Sequence, residues 1–157
     1  MKSVYVESSV ISYLKARISR DVVTSARQNI TIEWWESYRN YYELYISELV
    51  IEEISSGDTA AASARLTVTE NIAVLVTTDS AIELARTLLA QDAIPANSVE
   101  DAMHISIAAV QGIDFLLTWN FKHINNANTR HRIERVIDAA GYNCPVLCSP
   151  EELIDDE

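Results

Sequence analysis

Four polar side chains stand far apart in this chain, each beside an apolar run, and their types suit a hard divalent cation. Glu7 follows SVYV, Glu53 lies in SELVIEEI, Asp101 opens DAMHISIAAV, and Asn120 follows FLLTW. Carboxylate and amide oxygens are the ligands that Mg2+ and Mn2+ take. Acids placed just past buried strands or near helix starts are how an α/β chain gathers such a site from distant segments. The chemistry this would support is metal-assisted cleavage of phosphodiesters. Asn120 is the weak member, because an amide offers one neutral oxygen where an acid would offer charge.

Taken singly, each of these residues has a plainer reading. Glu7 could accept hydrogen bonds from the amides of the helix that follows, a place that favours anions. Ser8 and Ser9 could orient it or cap that helix. If Leu49, Val50 and Ile54 face the core, Glu53 lies inward with them, while Glu48 and Glu52 share a solvated face. Asp101 is three residues past Ser98, a Ser-x-x-Asp variant of the capping box that could do no more than close a helix start. His104 could join Asp101 in a mixed oxygen–nitrogen metal site. With no second histidine near it, a satisfied, partly buried imidazole is the better reading. Cys144, Cys148, His123 and His131 match no closed zinc spacing, and Cys148 reads as an inward strand residue.

The elements that must position these groups alternate in type. SVYVE, ELYIS, IAVLV, DFLLTW and PVLCS read as short apolar strands. Between them come helices: SSVISYLKAR capped by Ser8 or Ser9, a helix over 21–40, one from Ser47 through Glu53, and AAASARL capped by Asp58 after the Gly57 turn. Further helices span 78–91, start at Ser98 and run to Val110, and end at Gly141. Alternating strands and helices predict an α/β fold, a short, mostly parallel sheet covered by helices on both faces. In such sheets ligands bind beyond the carboxyl ends of the strands. Glu7 and Asn120 both fall there.

The chain has 157 residues, nearly half of them apolar, with three Gly and three Pro. That predicts one domain over 1–150 with a real core, followed by an acidic end over 151–157. The start, MKSVYVESSVISYL, lacks the apolar stretch of a secretory signal, and no window reaches the ~18 apolar residues of a membrane span. Two cysteines make no disulfide framework, so a reduced cytosolic protein is expected. The net charge of −11 speaks against a free-standing basic nucleic-acid binder. Part of it is local, since EELIDDE holds five acids. A metal site also concentrates carboxylates and would invert the field around them.

Taken together, the four positions resemble those of PIN-domain proteins, and within them the VapC-like toxins of bacterial toxin–antitoxin pairs. The likeness covers nearly the whole chain: VYVESSVISYL with Glu7, Ser47 leading to Glu53, EDAMHISIAAVQGIDFLLT with Asp101, and TWNFKHI with Asn120. Glu7 and Asn120 stand where the family usually has aspartate. The resemblance implies an Mg2+- or Mn2+-dependent endoribonuclease acting on RNA, dimeric and held inactive by an antitoxin protein. It implies that Glu7, Glu53 and Asp101 cage the metal, with Asn120 holding a water or a second ion. Ser8 and Thr118 would support them, and Lys15, Arg17, Arg27 and Lys122 would contact RNA phosphates.

Other readings compete with it. A PIN-like scaffold weakened in catalysis, acting by binding a partner protein or RNA, would suit Asn120 and the acidity. A small-phosphate hydrolase usually needs a Gly-rich cradle, and none is present. Trp34, Trp35, Tyr38, Tyr41 and Tyr42 could form an interface or a base-stacking surface, although packing explains most of them.

Overall fold

The computed structural model describes residues 1–154 apart from 121, 123 and 125. His123 and the last three residues of the acidic end therefore lie outside the described residues. The chain runs β1 (Lys2–Val6), α1 (Ser8–Lys15), α2 (Val22–Ser37), β2 (Tyr42–Ser47), α3 (Glu48–Ile54), α4 (Thr59–Val68) and β3 (Ala73–Leu75). It continues α5 (Asp79–Ala90), α6 (Val99–Val110), β4 (Phe115–Leu117), α7 (Ala127–Ala139) and β5 (Val146–Cys148). Short 3-10 turns lie at Arg39–Tyr41 and Pro150–Leu153.

The strands form one parallel sheet in the order β3-β2-β1-β4-β5. Consecutive parallel strands need a crossover, and the helices supply it. Helix α1 packs on α2, α3 and α4, whereas α5 packs on α6 and α7, and these two groups cover the sheet. The central strand shows the consequence: Val4, Tyr5 and Val6 are all fully buried, because both of its faces are covered. Ile46, Leu116 and Leu147 continue that core across the sheet.

Six helix starts among the described residues are tied down by side chains that accept an orphan backbone N–H: Glu7 from Ser9, Asp21 from Thr24, Ser47 from Val50, Asp58 from Ala61, Thr78 from Ala81 and Asn126 from Asn128. Each such cap stabilises its helix by about 1 kcal/mol. The expected caps at Ser47 and Asp58 are among them. Gly141, at φ +91°, takes the left-handed stop predicted for the end of α7.

Other local expectations need correction. Helix α1 is capped by Glu7 and not by Ser8 or Ser9, since the longer carboxylate reaches the Ser9 N–H. Ser98 makes no side-chain cap for α6, its hydroxyl turning to Asn97 at 3.4 Å, so no reciprocal capping box forms with Asp101. Helix α2 stops at Ser37, three residues early, and Val22 and Val23 at its start are exposed, not inward. The third strand shrinks to three residues at the sheet edge, where partners exist on one side alone. Within the aromatic segment Trp34 is buried and stacks on Tyr42 (6.1 Å), and Trp35 lies beneath the Arg39 guanidinium (4.6 Å). Packing accounts for both rings.

Candidate functional site

Strand β1 is where the chain order reverses. Strands β2 and β3 lie to one side of it, and β4 and β5 to the other. A crevice opens beyond the carboxyl ends of strands at such a switch point. Glu7 follows β1, Thr118 and Asn120 follow β4, and α3, which carries Glu53, starts directly after β2. Helix α6 leads back into β4 through a short turn, so its first turn, with Asp101, stands over the same edge.

Glu7 is 7% exposed and well held. Its Oε1 accepts from the hydroxyls of Ser9 and Thr118, both at 2.6 Å, and its Oε2 accepts the Ser9 N–H at 3.0 Å. Those hydroxyls bind onward: Ser9 Oγ accepts the N–H of Trp119 and Thr118 Oγ1 that of Asn120, both at 2.9 Å. The β1 and β4 ends are thereby locked together around one carboxylate.

Glu53 is held from two sides through one oxygen. Ser8 Oγ donates to Oε1 at 2.7 Å, and His104 Nε2 lies 2.6 Å from the same atom. His104 is 1% exposed, and its Nδ1 is 2.6 Å from the Tyr5 hydroxyl, which in turn is 2.7 Å from Ser47 Oγ. Burial pushes the His104 imidazolium down. The hydrogen bond that His104 donates to Glu53 and the charges of Glu7, Glu53 and Asp101 outweigh it, so its pKa is raised. For Glu53, burial pushes the carboxyl up, and the hydrogen bond and charge of His104 with the Ser8 bond turn the net shift downward. The reading of His104 as a satisfied buried imidazole holds, but one of its partners is a candidate ligand.

Asn120 donates Nδ2–H to Asp101 Oδ1 at 3.0 Å, both side chains being half-buried. Thr118 therefore links Asn120 to Glu7, and Ser8 links α1 to Glu53. The structure brings Glu7 and Glu53 together with His104, within 4.8 Å, whereas Asp101 and Asn120 stand outside that group and are joined to it through the Asn120–Thr118–Glu7 hydrogen bonds. The basic residues are placed less uniformly. Lys15, Arg17 and Lys122 are exposed. Arg27 is half-buried with its guanidinium 5.6 Å from the centre of the Trp119 ring, which also packs edge-on to Tyr13. Tyr5 and Ser47 escaped sequence reasoning as parts of the site, whereas Ser9 orients Glu7 as one reading of it allowed. A tyrosine in a fully covered strand was the available signal, since its buried hydroxyl must find a partner.

The donor set suits a hard cation. Glu7, Glu53 and His104 each offer a ligand atom, all within 4.8 Å of one another. Among the described residues no Lys or Arg forms an ion pair with Glu7 or Glu53, and no hydrogen bond reaches Glu53 Oε2. Clustered carboxylates without a balancing cation attract a metal. Among the described residues this is the one grouping of its kind, and neither Cys144 nor Cys148 enters one. Burial pushes both thiols up to about 12, which leaves them inert. None of the described helices is long and apolar enough to cross a membrane.

Known structures share this arrangement of elements. The Mycobacterium tuberculosis toxin VapC20, described as cleaving the sarcin-ricin loop, superposes with a TM-score of 0.60 at 18% identity. That match covers 89% of this chain and 96% of the toxin. VapBC2 from Rickettsia felis, solved bound to a DNA fragment from its promoter, gives a TM-score of 0.61 at 14% identity, over 93% and 97% of the two chains. At such identities the likeness is one of fold. No curated protein matches the chain in sequence. The PIN-domain profile matches residues 4–128, which include Glu7, Glu53, Asp101 and Asn120, so on sequence, topology and neighbouring folds alike the chain belongs to the PIN-domain family.

Proposed function

We propose that this protein is a metal-dependent endoribonuclease, the toxin of a toxin–antitoxin pair, hydrolysing RNA phosphodiesters with Mg2+ or Mn2+. The observation that carries the reading is the convergence of Glu7 and Glu53 at the sheet switch point, with no Lys or Arg among the described residues paired to them. The neighbouring structures, one a toxin that cleaves the sarcin-ricin loop and the other a VapBC assembly on promoter DNA, support it through their fold. The VapBC2 assembly also supports a partner antitoxin, and the reading includes a homodimer acting in the cytoplasm. All the groups named here lie within residues 1–150, the proposed functional unit.

In this mechanism Glu7, Glu53 and Asp101 would hold the ion, and Asn120 would orient a water. A bound divalent cation supplies Lewis-acid charge for the scissile phosphate and lowers the pKa of bound water. Ser9 and Thr118 fix Glu7, so the carboxylate does not swing away between turnovers. Lys15, Arg17, Arg27 and Lys122 bind phosphates on either side of the cut. Arg27 is also pre-positioned by its contact with Trp119.

The deciding experiment is calorimetric titration with Mn2+ at low ionic strength on wild type, Glu53→Ala and Asp101→Ala, paired with an RNA cleavage assay. Micromolar-to-submillimolar binding, lost in both folded variants together with cleavage, is expected. Variants that cut RNA at the wild-type rate would refute the site. The second reading, a scaffold weakened in catalysis that binds a partner protein or RNA, is favoured by the amide at Asn120, and absence of Mn2+ binding in wild type would select it.

A further inference from the structure

Building on the nuclease reading, we infer that Tyr5 and His104 are positioning residues: a buried hydrogen-bond chain from Ser47 through Tyr5 and His104 aims Glu53 at the metal. Neither ring can touch RNA, because Tyr5 is 0% and His104 1% exposed. Each polar atom along the chain has a partner, and with the imidazole neutral an ionised Glu53, which can only accept, sets one direction. Ser47 Oγ accepts the Val50 N–H at 3.2 Å, so its own proton is free to turn toward the Tyr5 oxygen at 2.7 Å. The Tyr5 proton then goes to His104 Nδ1 at 2.6 Å. That leaves the imidazole proton on Nε2, where it donates to Glu53 Oε1 at 2.6 Å.

The reason for such a chain lies in the chemistry of glutamate. Its terminal torsion is broad, so a carboxylate on a helix does not hold one orientation unaided. Here Oε1 receives two donors, Ser8 and His104, from different elements, while no described hydrogen bond reaches Oε2. The acid is pinned by one oxygen and presents the other. Burial keeps the Tyr5 phenol protonated, as a donor in this chain must be. Residues that orient a metal ligand from behind commonly govern affinity without touching the ion. Ser47 serves twice in this scheme, capping α3 and starting the chain.

The test uses the full chain and Mn2+ alone as the probe. Tyr5→Phe removes one oxygen at constant ring volume, His104→Leu removes the donor, and His104→Gln restores an N–H. Nitrogen-15 spectra at alkaline pH, where the imidazole is neutral, report which ring nitrogen of His104 carries the proton. The expected wild-type signature is Nε2–H, loosened in Tyr5→Phe. Mn2+ should bind about 10- to 100-fold more weakly to Tyr5→Phe and His104→Leu. His104→Gln should recover part of that loss, and kcat should fall with KM for RNA unchanged. Folded variants that bind Mn2+ as wild type does, or an Nδ1–H imidazole in wild type, would overturn the inference and leave the nuclease reading standing. A wild type that binds no Mn2+ would remove that reading, and the inference with it.

Discussion

Replacing Asn120 by the acid usual in the family tests the electrostatics of the whole site. In the wild type its Nδ2–H donates to Asp101 Oδ1 at 3.0 Å. Asn120→Asp removes that donor and sets two carboxylates face to face. Loss of a hydrogen bond to a charged group costs about 1.5–3 kcal/mol. Like-charge repulsion adds to this, but both side chains are half-exposed and water screens much of it, so the hydrogen bond sets the scale. For a chain of this size each kcal/mol shifts Tm by about 2–4 °C, which gives a drop of about 3–12 °C in EDTA. Two carboxylates that close repel each other when both are ionised, so the drop should be largest at alkaline pH and shrink on acidification. Saturating Mn2+ should reverse the order. At a hundred times Kd the ion contributes about 2.7 kcal/mol, and the variant, with one more negative ligand, should bind it more tightly than wild type. The assay is thermal unfolding with EDTA and with graded Mn2+, alongside calorimetry. A variant as stable as wild type in EDTA, or one binding Mn2+ no more tightly, would refute the placement of Asn120 against Asp101 at a metal site.

Thr118→Val, nearly isosteric, strips a buried hydroxyl donor from Glu7 and an acceptor from the Asn120 N–H. Urea unfolding should show a loss of about 1.5–3 kcal/mol, and a loss below 0.5 kcal/mol would disprove the locking role. The raised pKa of His104 contributes stability that is fully present below its ordinary value of 6.5 and lost as pH rises through the raised one. The lowered pKa of Glu53 contributes stability present above 4.5 and lost as pH falls through the lowered one. Urea midpoints from acid to alkaline pH should therefore show the gap between wild type and His104→Leu widest between those two ordinary values. A gap that grows on the alkaline side would contradict the pairing. Arg27→Ala should raise KM for RNA and flatten the dependence of log KM on log salt by about 0.7, whereas an unchanged slope would exclude a phosphate contact.

Much of the fold was legible because it rests on local chemistry. Short apolar runs with no polar alternation, separated by capped helices, admit few arrangements besides a covered parallel sheet. The caps at Ser47 and Asp58 and the stop at Gly141 were readable for the same reason, since donor and acceptor lie within a few residues of each other. Helix α2 was harder to delimit. Its hydrophobic spacing continues into Val22 and Val23, which the structure leaves in solvent, because periodicity does not say where the neighbouring surface ends.

By itself the sequence determined which residue types were available to hold a cation, and that strands and helices alternate so as to bring Glu7 and Asn120 to one sheet edge. It could not determine who holds whom. Glu7 could be read as a ligand or as an acceptor for the next helix start, with Ser8 or Ser9 as rival caps, and the structure makes Glu7 the cap. Ser98 and Asp101 were expected as a reciprocal pair, yet Asp101 receives the Asn120 amide from a different element. The chain from Ser47 through Tyr5 and His104 to Glu53 joins residues 42, 99 and 51 positions apart. Hydrogen bonds of 2.6–2.7 Å depend on tenths of an ångström in the packing of helices on the sheet. Such distances are set by the summed volumes of the whole core, and so the tertiary structure alone decided them.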